Sequence, residues 1–377
     1  MRSTTIGALR KFRCEVVMKL STILMVLAGW YSPVYSQISL PFKDKTVKGL
    51  SFDGQPLKML VDTGISGTYI LYKEWYERTF GKGACKRTVW GCYSCPGECN
   101  PYSREKGNNN FNDGGSIIHV SHDGVVKIGK YELKMQFRLI IGYSVGTEVP
   151  DWKPPNIFGL ASATPRRTTV VSQLYKNGII KRNTISVCSP SYPQKYRGTV
   201  ILGEWNGLCA IKSNVTTIPM GKSHSEGHLL SDLSSYGLVS STGQTYTQHR
   251  RTTAVYDTGT VGLYIPKFIF EDLLSKIASF AGPDVYLKTR NGYWYITAKR
   301  RRYFPTLTFS VGDSQHPLVI RTPPEKYTSD YDKKWYKILI RYYDRPEIIL
   351  GRSFFTTYFS SYDLDSRTIS IAEYASG

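Results

Sequence analysis

The chain has 377 residues, 41% of them hydrophobic, and carries a formal net charge of +20 at pH 7. This length accommodates two domains of ordinary size, and the composition excludes a disordered chain or one largely embedded in a membrane. The positive charges are spread along the chain, with one tight run at 299–302 and no nucleic-acid-binding motif. We therefore expect no nucleic-acid partner and a basic surface that attracts acidic partners or anionic membranes.

The N-terminal segment 1–36 has the layout of a signal peptide. Basic residues up to Lys19 precede an apolar stretch from Leu20 to Trp30, and short side chains at Val34 and Ser36 suit cleavage after Ser36. We expect a protein of the secretory pathway, either secreted or held in an acidic or vesicular compartment. The alternative is an uncleaved segment that anchors the chain in a membrane.

Cysteine usage agrees with export. All of the seven cysteines except Cys14 follow the N-terminal segment, and the even number that remains predicts three disulfides in an oxidising compartment. The candidates are Cys85, Cys92, Cys95, Cys99, Cys188 and Cys209. The first four form a tight cluster that allows three pairings, and a zinc knuckle is the alternative. Asn214 begins a sequon for N-glycosylation.

In chain order, β-branched and aromatic runs predict mostly strands. Predicted strands lie at 58–61, 117–128, 133–141, 199–202, 253–256, 306–311 and 338–340. Two helices are predicted, one at 169–177 closed by Gly178 and one at 266–279 with Pro266 at its start. The expected fold class is therefore all-β.

An internal repeat divides the chain into two similar halves. Residues 62–70 read DTGISGTYI and residues 257–265 read DTGTVGLYI, so six positions match at identical spacing. At nearly equal distances after the two aspartates come Ile157-Phe158-Gly159 and Ile349-Leu350-Gly351. Duplication explains this pattern, and we expect lobes at 37–192 and 193–377.

The repeated aspartates, Asp62 and Asp257, suggest paired-carboxylate chemistry. Two carboxyl groups held side by side do not both ionise readily, so one keeps a proton while the other is charged. Such a pair can both activate a water molecule and supply an acid, as peptide hydrolysis requires. Gly64 and Gly259 allow backbone N–H groups to approach the carboxylates, and Thr63 and Thr258 can anchor the two turns to each other.

At these residues the chain resembles the pepsin-like aspartic proteases, the two-lobed eukaryotic family. The resemblance extends from about residue 45 to the C-terminus and includes FPTLTF at 304–309 and the closing segment 349–372. It implies a bilobal all-β fold, with two barrel-like lobes and a substrate cleft between them. It also implies that Asp62 and Asp257 are catalytic.

Three features depart from the family pattern. Ile65 stands where the family usually has a Ser that bonds the first carboxylate, whereas Thr260 keeps a hydroxyl in the second loop. We therefore expect a raised carboxyl pKa and a less acidic pH optimum, or a slower enzyme. Phe111 and Asn112, before Gly115, stand near the tip of the flap where a Tyr is usual, and Tyr69 replaces a Trp. The short segment before Asp62 predicts synthesis without an inhibitory prosegment.

The sequence thus predicts an aspartic endopeptidase that acts on extended polypeptides as a monomer, with no cofactor and no metal. The six histidines lack the spacing of metal ligands. The family's usual preference is for apolar side chains beside the cleaved bond. One alternative is a weak or inactive relative that binds peptides or a protein partner in its cleft. Another is a basic adhesion or carbohydrate-binding β-protein.

Overall fold

The computed structural model describes residues 37–375 apart from 113, 147–151, 206, 208, 213, 223–226, 283–286, 291–292 and 298–302. The predicted signal peptide and the basic run at 299–302 lie outside the described residues. Within the described part of the chain, no helix is long and apolar enough to span a membrane.

Strands dominate the structure, as the sequence predicted. The first half contains β1 (Ile38–Lys43), β2 (Thr46–Phe52), β3 (Gln55–Asp62), β4 (Ser66–Leu71), β5 (Lys106–Asn110), β6 (Ser116–Ile128), β7 (Tyr131–Ser144), β8 (Ile157–Leu160), β9 (Thr184–Cys188) and β10 (Arg197–Leu202). The second half contains β11 (Thr216–Pro219), β12 (Leu230–Val239), β13 (Thr245–Tyr256), β14 (Leu263–Pro266), β15 (Leu287–Arg290), β16 (Tyr293–Thr297), β17 (Thr306–Val311), β18 (Leu318–Thr322), β19 (Thr328–Asp330), β20 (Trp335–Ile338), β21 (Ile340–Tyr343), β22 (Ile348–Leu350), β23 (Tyr358–Asp363) and β24 (Thr368–Glu373).

Helices are short, and both predicted ones are present. They are α1 (Lys73–Phe80), α2 (Ala84–Arg87), α3 (Val170–Lys176), α4 (Lys267–Ala281), α5 (Pro324–Tyr327) and α6 (Arg352–Phe355), with 3₁₀ turns at Pro101–Ser103 and Pro193–Lys195. Helix α3 begins at a capping box, in which Thr169 and Ser172 satisfy each other's backbone N–H groups. The predicted strand at 338–340 is interrupted, because Leu339 hydrogen-bonds outside the β20 and β21 ladders.

The two halves repeat one another in three dimensions. β3 pairs in parallel with β8, so that Asp62 lies opposite Gly159, while β4 runs antiparallel on the other side of β8. In the second half, β13 pairs in parallel with β22 and β14 runs antiparallel beside it. The apolar-apolar-Gly segments are therefore the strands inserted between the two arms of each Asp-bearing loop. The same strand arrangement therefore surrounds the Asp-Thr-Gly loop in each half.

The sheets form an all-β bilobal fold. In the first half, β2, β3, β8, β4, β7 and β6 close into a barrel through the pairing of β2 with β6. The same 13-stranded sheet continues through β1, β10, β9, β23, β24 and β11, so both halves of the chain contribute to it. The predicted lobe boundary at 192/193 lies between β9 and β10, within this shared sheet. Alternating burial along β1 and β6 sends every second side chain into the apolar core.

Candidate active site

Asp62 and Asp257 meet although they are far apart in sequence. Asp62 ends β3 and Asp257 follows β13, and each accepts a hydrogen bond from the backbone N–H two residues later. Gly64 N donates to Oδ1 of Asp62 at 2.9 Å, and Gly259 N donates to Oδ1 of Asp257 at 2.7 Å. The two carboxyl groups are close enough for the charge of Asp257 to raise the pKa of Asp62. The repeat therefore brings the predicted pair together in a twofold-related arrangement.

Thr63 and Thr258 lock the two loops together. The backbone N–H of each donates to the hydroxyl oxygen of the other at 3.0 Å. Each hydroxyl then donates across the pseudo-twofold axis, Thr63 to the carbonyl of Tyr256 at 2.8 Å and Thr258 to that of Val61 at 2.9 Å. Both threonines are completely buried. This reciprocal network fixes the separation of the carboxylates.

Gly64 and Gly259 are required by space. A Cβ atom at Gly64 would lie 2.6 Å from Cγ of Asp257, and one at Gly259 would lie 2.8 Å from Oδ2 of Asp62. Each glycine of the motif therefore makes room for the carboxylate of the opposite loop.

The two carboxyl groups have different surroundings. Thr260 Oγ1 donates to Oδ2 of Asp257 at 2.7 Å, whereas Ile65, at the matching position, has no donor. Burial, followed by the neighbouring charge of Asp257, raises the pKa of Asp62 well above its ordinary value. The dyad is therefore electrostatically asymmetric, with its extra hydrogen bond on Asp257.

Arg352 is a site residue that motif analysis did not single out. Its side chain is 6% exposed and lies beneath the second Asp-Thr-Gly loop, where Nε and Nη2 donate to the carbonyls of Thr258 and Gly259 at 3.0 and 3.1 Å. Burial lowers the pKa of this guanidinium, and its positive charge opposes the rise in the pKa of Asp62. The sequence feature that could have identified Arg352 is its position directly after the Ile-Leu-Gly segment.

The predicted flap is a hairpin between β5 and β6. Phe111 N donates to the carbonyl of Gly115 at 2.8 Å, which closes the turn, and Phe111 and Asn112 both line the cleft. The Phe111 ring packs against Trp152 at a centroid distance of 5.6 Å. Tyr69 is fully buried, donates to the carbonyl of Ser66 and is not among the residues that line the cleft.

A cavity of about 420 Å³ opens above the two aspartates. Both halves of the chain line it, and several of its aromatic and basic side chains were not identified from the sequence. These are Lys45, Trp90, Trp152, Lys153, Tyr293, Lys337 and Arg341. They come from separate strands and loops, so no local motif marks them.

The candidate cysteines form three disulfides, Cys85–Cys92, Cys95–Cys99 and Cys188–Cys209. The clustered cysteines thus pair with near neighbours, and their sulfurs are disulfide-bonded rather than arranged as a zinc knuckle. In the described part of the chain, no group of three or more His, Cys, Asp or Glu side chains could hold a metal ion. Asn214 is exposed just before β11, where a glycan could be attached.

A two-lobed β protein with paired aspartates on twofold-related loops has the architecture of a pepsin-like acid protease. Comparison with protein families matches residues 49–374 to the eukaryotic aspartyl proteases, and the chain belongs to that family. A comparison with curated proteins found no match. The family and the disulfides fit a protein of the secretory pathway.

Proposed function

We propose that the protein is an aspartic endopeptidase and that Asp62 and Asp257 are its catalytic residues. The observation that carries the proposal is the position of the two carboxyl groups, each of which lies against the glycine of the opposite loop at the floor of an open cleft. A structural pair would not need such exposure to a cavity, and two adjacent carboxylates in a buried site suit acid–base chemistry at acidic pH.

In the proposed mechanism, a water molecule binds between the carboxyl groups. Asp257, whose charged form is stabilised by Gly259 and Thr260, accepts a proton as the water oxygen attacks the peptide carbonyl carbon. Asp62, with its raised pKa, gives its proton to the carbonyl oxygen. As the resulting diol collapses, the nitrogen takes the proton held by Asp257, the C–N bond breaks, and one diol hydroxyl returns a proton to Asp62.

Cleavage of a broad peptide library by the full chain between pH 3 and 8 tests the proposal. We expect cleavage that a statine-type transition-state analogue inhibits, because such a compound places a hydroxyl between the two carboxyl groups. Absence of cleavage at every pH by folded protein would instead favour a peptide-binding relative. Ile65 and the replacement of the usual flap Tyr favour that second candidate.

The contribution of the missing hydroxyl can be measured with the variants Ile65→Thr and Ile65→Val. These side chains have nearly the same shape, and only Thr can donate to Asp62 as Thr260 does to Asp257. That hydrogen bond favours the ionised form and lowers the pKa of Asp62. Because Asp62 supplies the proton, we expect the alkaline limb of the pH–rate profile to move to lower pH in the Thr variant alone. Identical profiles would contradict this assignment.

Processing and location complete the proposal. Removal of residues 1–36 and glycosylation at Asn214 would accompany passage through the secretory pathway, and the lobes would be 37–192 and 193–377.

Phe111 and Asn112 would cover bound substrate, with Tyr69 supporting the flap side of the cleft from within the core. The mature protein would act as a monomer without a cofactor.

A further inference from the structure

The cleft has an excess of positive charge. Four of the described residues that line it are basic, Lys45, Lys153, Lys337 and Arg341, whereas its carboxylates are Asp62 and Asp257 alone. A cleft selective only for apolar side chains would gain nothing from such charges, since each must be partly desolvated when substrate binds.

The four basic side chains have different surroundings. Lys45 lies close to Arg352, and burial, with that neighbouring charge, lowers its pKa. Lys153 Nζ lies over the ring of Phe80 at 5.1 Å from its centroid. Lys337 and Arg341, in contrast, share one aromatic neighbour on the second-half wall of the cleft, the ring of Tyr293.

Lys337 and Arg341 are close in sequence as well as in space. They belong to the consecutive strands β20 and β21, which lie in different sheets, and Leu339 stands between the two strands. All three line the cleft. The sequence K-I-L-I-R therefore presents a cation, an apolar side chain and a second cation in a row.

Aromatic rings hold these two cations in place. Lys337 Nζ lies 3.1 Å from the centroid of Tyr293, and the Arg341 guanidinium lies 4.6 Å from the same centroid. Arg341 Nη1 also donates to the hydroxyl of Tyr264 at 3.0 Å. None of the ion pairs in the described part of the chain joins Lys337 to a carboxylate. Burial and the adjacent Arg341 charge lower the pKa of Lys337, as expected for two cations at close range.

We propose that Lys337 and Arg341 form a specificity subsite that binds an anionic side chain of the peptide substrate. The inference rests on the proposed endopeptidase function and identifies its substrate class. An anion placed between the two cations relieves their mutual repulsion and forms charge-assisted hydrogen bonds, which are stronger than neutral ones. The carboxylate of Asp or Glu and the phosphate of a phosphorylated side chain share this chemistry.

The test compares matched peptides that carry Glu, phosphoserine, Gln or Lys at each position around the cleaved bond. At one position we expect kcat/KM for Glu to exceed that for Gln by about tenfold. We expect this ratio to fall to about one in Lys337→Met. In the double variant K337E/R341E we expect a higher kcat/KM for the Lys peptide than for the Glu peptide. Lys337→Arg should keep the preference. Lys130→Met is the matched control, because Lys130 also lies over a tyrosine ring, that of Tyr131, but does not line the cleft.

The outcomes separate the two proposals. Faster cleavage of the Glu peptide would identify acidic residues as the substrate side chains. A preference confined to the phosphoserine peptide would identify phosphorylated substrates. Either result supports the anionic subsite. Equal cleavage of the Glu, phosphoserine and Gln peptides overturns the subsite while leaving the endopeptidase intact. If no peptide is cleaved, the endopeptidase fails, and binding of the same labelled peptides to the Asp62→Asn protein decides the subsite. Equal affinities for the Glu, phosphoserine and Gln peptides would then overturn it.

Discussion

The Asp62→Asn variant is expected to cleave peptides roughly 10²–10⁴-fold more slowly than the native chain, because an amide cannot supply the proton. The hydrogen bond from Gly64 N can persist, since the amide oxygen of Asn accepts it as the carboxylate does. The measurement is kcat/KM on a peptide that the native chain cleaves, at its optimal pH.

Asp313→Asn is the matched control for this variant. Asp313 is exposed, and its Oδ1 accepts a backbone hydrogen bond from the residue two positions later, Gln315, at 2.9 Å. The local turn is thus the same as at Asp62, but the residue lies outside the cleft. We expect its activity to be unchanged. Native-rate cleavage by Asp62→Asn would exclude Asp62 from the chemistry.

Unfolding measurements can show that this loss of activity is not a loss of structure. The pKa of Asp62 is raised in the folded chain, so the folded state retains a proton that the unfolded state releases. The free energy of unfolding of the native chain therefore falls as pH rises from the ordinary carboxyl range, about pH 4, through the raised pKa. Asn carries no charge to bury. We expect Asp62→Asn to gain stability relative to the native chain over this window, and a relative loss would contradict the raised pKa.

The Arg352→Met variant is expected to lower both stability and activity. Met fills much of the same volume but donates no hydrogen bonds, so the buried carbonyls of Thr258 and Gly259 lose their partners. An unsatisfied buried acceptor costs about 1–3 kcal/mol, and we expect the free energy of unfolding to fall by about 2–4 kcal/mol. Denaturant unfolding with the disulfides intact measures this change.

Arg352→Met also has an expected electrostatic effect. The guanidinium charge opposes the rise in the pKa of Asp62, so its removal raises that pKa further and moves the alkaline limb of the pH–rate profile to higher pH. Arg367→Met is the control, because Arg367 is exposed and also donates to a carbonyl, that of Gly221, at 2.6 Å. We expect its stability to change by less than about 0.5 kcal/mol. An unshifted profile in folded Arg352→Met would remove Arg352 from the electrostatics of the dyad.

The fold class, the repeat and the residues of the two Asp-Thr-Gly loops could all be predicted from the amino-acid sequence. These features are local: runs of β-branched and aromatic residues predict strands, and an Asp, a Thr and a Gly in the same short pattern predict the same turn in both halves. The helix at Val170–Lys176 was also predicted from the sequence. Its start is local too, since it is set by the hydroxyls of Thr169 and Ser172.

Other contacts could not be predicted from the sequence, because they depend on how the strands align. These are the cysteine partners, the burial of Arg352 beneath the loop and the position of Lys337 beside Arg341 on one wall. No local pattern encodes these contacts, because strand register and side-chain packing are set by the whole core. The two short motifs therefore predict the residues of the dyad. Its electrostatic environment and the charge of its cleft depend on how the whole chain folds.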